Sequence, residues 1–495
     1  MESLRESLKS LNGPLVLSQL LLGLLVTVFI WRAYLSPIAD VPGPIWASVT
    51  RLWHMKEIYD GKQNLKILKL HDKHGHFVRI GPDEVSVTHP EAIKKLILTP
   101  QYKGHWYAMM KFPDWRFRTP MAVLEPKAKV ELSKQLSSAY TMSNVIKSEE
   151  HITSVVERLL QKMDSYAAKH DPMDLARQVF FTYTAFDIVG EVVFSSPFGF
   201  VEKGIDIDDS IAQTLGFECY ISIAAFAQWL RDFSMVANPI ITCLGILPTN
   251  YLAVTSNKAL DARKQNQDAR FDFVAHWLKT HEQNPDKLSY RDVQSAVMAN
   301  VGAGSDTVSC ALQSFVYHMI RCPEAWDRLR QEIDDAGLMD GVVSYTDASQ
   351  LPYLQACIKE TLRIFHPVPM GTPRIVPKGG VEIGGHYFPA GVTLSLNTFS
   401  MNLSEAVWGP DAKQFKPERW MEGDVAAMEK RYLPFSGGIG TCVGQHLARI
   451  ELSKILATIV RDYDIRQVDP KQEWTYYAYF TVVPRDWPVY IEKRK

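Results

Sequence analysis

Phe435-Ser436-Gly437-Gly438-Ile439-Gly440-Thr441-Cys442-Val443-Gly444 is the stretch whose reading decides the fold. It delivers one cysteine to the start of an amphipathic run, Gln445 to Asp462, that reads as a helix. Glycines let the backbone turn sharply and approach another group closely. Peptide N–H groups at a helix start favour negative charge and lower a thiol's pKa. Cys442 therefore stands where a thiolate is stabilised, able to ligate a soft metal or a haem iron. A buried structural thiol in a loop fits the same residues.

The chain of 495 residues has room for one large domain or for two or three average ones. Its composition is that of an ordinary globular protein. A net charge of −1 gives no support for a nucleic-acid partner. The cysteines, Cys219, Cys243, Cys310, Cys322, Cys357 and Cys442, are scattered, with no C-x-x-C pair and no zinc spacing. That fits free thiols in a reducing compartment.

Pro14 to Trp31 is free of charge and is followed by Arg32. The run approaches the roughly 20 residues that span a bilayer. It is longer than the apolar part of a cleaved signal peptide, and no small-x-small site follows. Residues 1–36 thus read as a single-pass membrane anchor, with Trp31 and Tyr34 at the interface and a cytosolic C-terminal side. Residues 37–44, with Pro37, Pro42 and Pro44, read as a stiff, extended hinge. Residues 45–495 read as one large domain, mainly α with small β-sheets.

Within that domain, Phe77–Ile80 and Glu84–Thr88 alternate as a β-hairpin, and Glu91–Leu98 reads as a helix. His105–Phe117 is rich in aromatic residues, either packing in a loop or facing a substrate. From Lys127 to Leu338 the pattern is almost all helical, with helix-spaced apolar residues from Asp208 to Phe233. Phe217–Trp229 is apolar on nearly every side, as in deep core or a greasy pocket. Ser289-Tyr-Arg-Asp292 is a capping box opening a helix that runs to about Arg321. Its middle, Gly302-Ala303-Gly304-Ser305-Asp306-Thr307, holds two glycines that each cost roughly 1 kcal/mol. This is either close packing on glycine or a turn opened by Thr307, where a ligand approaches and Asp306 and Thr307 handle protons. Farther on, Glu360 and Arg363 share a helix face among Ile358, Leu362 and Ile364, which suggests a buried clamp.

Taken in order, these features resemble the cytochrome P-450 superfamily of haem-thiolate monooxygenases over essentially the whole chain after the anchor. Phe435-x-x-Gly438 with Cys442-x-Gly444 is similar to its cysteine loop. Glu360-x-x-Arg363, with Arg419 of Pro417-Glu-Arg-Trp420, is similar to its K-helix clamp, and Ala303-Gly304-x-Asp306-Thr307 to its oxygen-activating motif. The hinge, Ala139-Tyr-Thr-Met-Ser143 and Pro197-Phe-Gly-Phe200 resemble fungal microsomal enzymes of the pisatin demethylase and benzoate hydroxylase type, which serve secondary metabolism.

The resemblance implies haem b on Cys442, with Phe435 and Gly438 in its cradle, and proton relay by Asp306 and Thr307. It implies O₂ as co-substrate and NADPH-derived electrons from a separate NADPH-cytochrome P-450 reductase, since the chain has no dinucleotide fingerprint. It also implies a hydrophobic small-molecule substrate, with the catalytic domain on the cytosolic face of the endoplasmic reticulum membrane. The chain departs from the family at Gly440, where Arg or His usually pairs with a haem propionate, and at Asn402-Leu403, where related fungal chains carry His-Arg. Arg374, Lys129 and Lys134 are the expected propionate partners instead, and Lys127, Lys129, Lys134 and Arg449 the expected reductase-facing charges. Substrate contacts are expected from 105–117, Phe217–Trp229, Ala303, Val368–Thr372 and Phe480–Val482. Arg116 and Arg118 are expected to face solvent. The same chemistry could instead desaturate or rearrange its substrate, and the departures allow a haem-poor pathway partner.

Overall fold

The computed structural model describes residues 13–494, apart from 112–113, 176–179, 245–249, 266–269, 339 and 486. Phe112 and the side chain of Cys243, both noted in the sequence, lie outside the described residues.

A helix packed on a helix organises the body. Tyr290–Ile320 is continuous over 31 residues, which is about 46 Å at ~1.5 Å per residue. It begins with the predicted capping box: Ser289 Oγ accepts from the Asp292 N–H, and the Asp292 carboxylate accepts from the Ser289 N–H. Phe180–Phe194, buried along its whole length, lies against it. Polar groups buried there need partners. Thr182 pairs with Ser309 of the central helix at 2.5 Å, and the Asp187 carboxylate accepts from the N–H groups of Gly199, Phe200 and Val201.

The same packing explains one of the two mid-helix glycines. A Cβ at Gly304 would lie 2.8 Å from Val189 Cγ2, so glycine there sets the helix spacing. Thr307 Oγ1 does donate back to the Ala303 carbonyl at 3.0 Å, but the helix stays regular through Gly302–Thr307. Of the two readings the sequence left open, close packing on glycine is the one found, at Gly304, and the opened turn is not formed.

The main sheet has the strand order Phe77–Gly81, Glu84–Val87, Thr393–Leu396, Thr372–Ile375. Its first pair is the predicted antiparallel hairpin, its middle pair is parallel and its last pair is antiparallel. The other sheets among the described residues have two or three short strands each. Glu91–Leu98 is helical, with wide turns from Ile93. Asp208–Phe233 divides into Ser210–Ala224 and Gln228–Cys243. The apolar face changes sides at that break: Ile221 and Phe226 are buried, whereas Trp229, Phe233, Val236, Ile240 and Leu244 form an exposed stripe at helical spacing.

Among the described residues one helix, Pro14–Leu35, is long and apolar enough to cross a membrane; its most apolar stretch is not buried against the rest of the chain, whereas Ala33 near its end is. The hinge after it differs from the expected extended spacer. Turns close at Ala39 and Val41, and Ile38 and Val41 are buried in a cluster with Val85, Phe388 and Leu394. The Pro42 carbonyl accepts from the Arg79 N–H at 2.8 Å, and a Cβ at Gly43 would lie 2.3 Å from the Arg79 carbonyl oxygen. Proline stiffness is present, but two apolar side chains dock it onto the sheet.

Candidate active site

The cysteine loop closes on itself before its helix starts. The Cys442 N–H donates to the Phe435 carbonyl at 2.8 Å, and the Gly440 N–H to Gly437 at 3.0 Å. Gly438 has φ of 57°, and a Cβ on it would lie 2.7 Å from the Ile97 carbonyl oxygen, so both conformation and space demand glycine. Gly440 is under neither demand. A Cβ there would meet Arg374 Nη2 at 3.4 Å and Ser436 Oγ at 3.7 Å. Where the family pattern has arginine or histidine, this chain has a glycine in ordinary contact range of another arginine.

Gln445–Asp462 follows as the predicted helix. Burial raises the pKa of the Cys442 thiol, while the N–H groups of Gly444 and Gln445 act to lower it; burial is the stronger, and the thiol is pushed up overall. The sequence reading of a net lowered thiol is corrected to that extent, because it took in the local dipole and not the enclosure. Cys442 is nonetheless exposed. A side chain both enclosed and accessible lies on the wall of an interior space. Ala303 is likewise exposed and Thr307 half-exposed in the middle of an otherwise buried helix.

Three cations converge beside the loop. Lys103, Lys129 and Arg374 are 8%, 8% and 6% exposed. Lys129 Nζ donates to the Ile439 carbonyl, and Arg374 stands beside Gly440. Lys103 is brought in by an antiparallel bridge to Arg374 and donates to the carbonyls of Pro120 and Met121 at 2.6 and 2.8 Å. Burial, then Arg374 and Lys129, lowers Lys103 to about 7, and burial and Arg374 lower Lys129. No carboxylate acts on either lysine among the described residues. Lys134, expected here, is exposed and pairs with Glu131 at 3.0 Å. It sits five residues beyond Lys129, on another helix face. Lys103 carries no sequence signal; only the strand bridge reveals it.

The central helix holds the second group. Asp306 is buried and hydrogen-bonds to Glu218 of Ser210–Ala224, while Thr307 borders the interior space. Thr481 donates its hydroxyl and its N–H to Glu218. Glu218 was overlooked, although a lone carboxylate in the apolar run Phe217–Trp229 was a visible signal. Around this pair lies an apolar cluster with Trp106, Tyr107, Ile221, Phe226 and Met370 buried and Phe480 half-buried. Trp106 stacks on Phe480 at 5.4 Å between centroids. The aromatic loop, the 217–226 segment and the chain around Met370 and Phe480 thus come together. Trp229 and Trp115 are 74% and 61% exposed and stand apart from the cluster.

Arg116 and Arg118 face solvent, as expected, and each also pairs with a buried carboxylate. Arg116 pairs with Asp114 at 2.6 Å, and Arg118 forms a fork with Asp292 at 2.9 and 2.6 Å. Lys127 and Arg449 are exposed, as a partner-facing role needs, but Lys129 is buried and has no surface to offer.

The clamp lies farther back. The Glu360 carboxylate accepts from Arg363 (2.7 and 2.9 Å), the Lys416 N–H (2.9 Å), Arg419 (3.1 Å) and Trp420 Nε1 (3.0 Å). Arg363 donates onward to the carbonyls of Asn402, Ala412 and Gln414 at 2.6, 2.6 and 3.1 Å. Asn402 itself is fully buried, and neither polar atom of its side chain has a protein partner. Replacing a buried amide without partners by an apolar side chain of like size removes a desolvation cost of roughly 1–2 kcal/mol. Asn402→Leu is expected to raise the urea midpoint accordingly; a lowered midpoint would show that the amide is satisfied in solution.

The cytochrome P450 family model matches residues 42–484. The chain is 31% identical over 480 residues to the cytochrome P450 monooxygenase gsfF of Penicillium aethiopicum, covering 92% of this chain and 94% of that one. It is 30% identical over 467 residues to a pisatin demethylase of Fusarium vanettenii, covering 92% and 89%. Among solved structures it is similar to a cytochrome P450, CYP102L1, with a TM-score of 0.70 and 19% identity over 87% of this chain and 94% of that one.

Proposed function

The chain belongs to the cytochrome P450 family, and on that premise we propose that it is a fungal haem-thiolate monooxygenase of secondary metabolism, inserting one oxygen atom from O₂ into a hydrophobic small molecule. The observation that carries the reading is the convergence of Lys103, Lys129 and Arg374 beside the Cys442 loop. Buried cations repel one another and need anions. The two propionates of haem b supply them, so the residues present fit the group. When bound to Cys442, haem supplies oxygen activation, which a thiolate ligand promotes. Phe435 and Gly438 shape the loop that presents the sulfur. Thr307 and Asp306 hold protons on the opposite wall, and the Trp106–Phe226–Met370–Phe480 cluster orients an apolar substrate and excludes water.

Electrons come from NADPH through a separate cytochrome P-450 reductase, with Lys127, Lys134 and Arg449 as surface charges for its docking. Residues 1–36 anchor the chain in the endoplasmic reticulum membrane, with the catalytic domain, residues 45–495, on the cytosolic side and residues 37–44 as the joint. The exposed Trp229–Leu244 stripe supports a domain that rests its apolar face on lipid.

The test combines the reduced, carbon monoxide-bound spectrum with product analysis, using purified full-length protein, reductase, NADPH and ¹⁸O₂. A thiolate-type spectrum and one labelled oxygen in the product are expected. A product without label points to desaturation or rearrangement, and folded protein that binds no haem points to a pathway partner.

The cation assignment has its own measurement, transfer of haem to an excess of apomyoglobin. A charge-assisted hydrogen bond contributes roughly 1.5–3 kcal/mol, so Lys103→Met is expected to speed haem loss about ten- to a hundredfold. Lys134→Met should leave it unchanged, and Gly440→Arg, whose Cβ would meet its neighbours at ordinary contact distance, should slow it. Wild-type retention in Lys103→Met would remove Lys103 from the haem site.

A further inference from the structure

Glu218 is the one acidic residue of Ser210–Ala224 and has no cation to neutralise it among the described residues. Burying an ionised carboxylate is unfavourable unless it is paired, well hydrogen-bonded or protonated. Its neighbours are Asp306, also buried and also without a cation among the described residues, and Thr481, which gives it two donors. Two carboxyl groups in contact cannot both ionise readily, so the pair keeps a proton.

We propose that Glu218 is a positioning residue for proton delivery: with Asp306 it forms a hydrogen-bonded carboxyl pair, latched by Thr481, that stores protons at the wall of the substrate cavity. The proposal rests on the monooxygenase reading above. Its geometry joins three elements, since Glu218, Asp306 and Thr481 belong to the helix beneath the apolar cluster, the central helix and the turn after Phe480. Asp306 immediately precedes Thr307, which borders the interior space. A rotation of Asp306 away from Glu218 brings its acid O–H to the Thr307 side. That O–H would break and hand one proton to the Thr307 hydroxyl as it passes its own into the cavity, and the pair would retain one proton shared between the two carboxyls. Solvent then restores the second proton. Thr481 steadies the charge left on Glu218, so the arrangement returns to its start.

The protonation directions agree. Burial raises Glu218 to about 7 against the pull of Thr481 and Asp306, and burial with the Glu218 charge raises Asp306 well above the carboxylate range. The other titratable groups near the pair are thiols and a phenol. Cys310 is pushed up by burial and by Asp306, and Cys219 lies against Tyr479. A carboxyl whose folded pKa is raised contributes stability that is complete below its unfolded value and is lost as pH rises through the folded one. For Glu218 the window runs from about 4.5 to about 7.

The experiment uses the full-length, haem-loaded protein and the variants Glu218→Gln, Glu218→Ala and Asp306→Asn. Infrared difference spectra between acidic and alkaline buffer, without turnover, should show a protonated-carboxyl carbonyl band that titrates near 7 and is lost in Glu218→Gln and Asp306→Asn. Melting temperature should fall across the same window in the wild type and flatten in Glu218→Gln. In turnover, Glu218→Ala should form about tenfold less product per NADPH with KM within about twofold, and Glu218→Gln should shift the pH profile while restoring part of the coupling. A wild-type band and melting curve in Glu218→Gln would overturn the shared proton. An altered band with wild-type coupling and pH profile would reduce Glu218 to a structural residue. If the wild type forms no product, the monooxygenase reading fails, while the infrared and melting measurements still decide whether the pair exists.

Discussion

Cys442→Ala is expected to leave a folded protein that shows no thiolate-type absorption when reduced under carbon monoxide and forms product at least about a thousandfold more slowly, equal to about 4 kcal/mol of barrier. The fold should survive because the loop is held by backbone bonds, Cys442 N–H to Phe435 and Gly440 N–H to Gly437, that alanine keeps. The accessible sulfur fills no closed core volume. Cys442→Ser separates ligand chemistry from shape: the residue is nearly isosteric, yet an alcohol is a far weaker ligand and donor than a thiolate. Product formation near the wild-type rate in either variant, with intact circular dichroism, would show that Cys442 is a structural thiol.

The second large effect is on stability. Arg363→Ala should lower the unfolding free energy by about 3–5 kcal/mol, because removing one member of a buried ion pair strands the other. Glu360 and Arg363 are both fully buried, and Arg363 also satisfies three backbone carbonyls that would be left without donors. A domain has only about 5–15 kcal/mol to lose, so little soluble protein is expected at 37 °C. Arg363→Lys should rescue only partly, since a single ammonium cannot reproduce the two-pronged bond to Glu360 together with the carbonyl bonds. Wild-type urea midpoints in both variants would contradict the clamp. Loss of stability with normal haem content in the surviving fraction would confirm that the clamp supports the fold and not the chemistry.

Legibility followed how local each feature is. The Ser289–Asp292 capping box, the hairpin at 77–87 and the helix after Cys442 are set by neighbours in sequence, and the structure shows each one. The hinge misled because prolines report stiffness and say nothing about docking; Ile38 and Val41 find their partners on distant strands. At Thr307 the sequence left two readings open. Its back-bond is local and present, but whether the helix opens depends on what packs around it. In the cation cluster, Arg374 and Lys129 were readable by position, whereas Lys134 turns to Glu131 and Lys103 takes part through a strand bridge.

In the sequence by itself, the family was legible through resemblance, whereas the capping box, the hairpin and the helix after Cys442 follow from residue types at short spacings that backbone geometry turns into fixed shapes. Only the tertiary structure decided which charges meet. Lys103 joins Arg374, and Glu218 joins Asp306 and Thr481, across long stretches of chain. Electrostatic interaction depends on separation in space and on exclusion of water, and neither quantity is written in the spacing of residues along a chain.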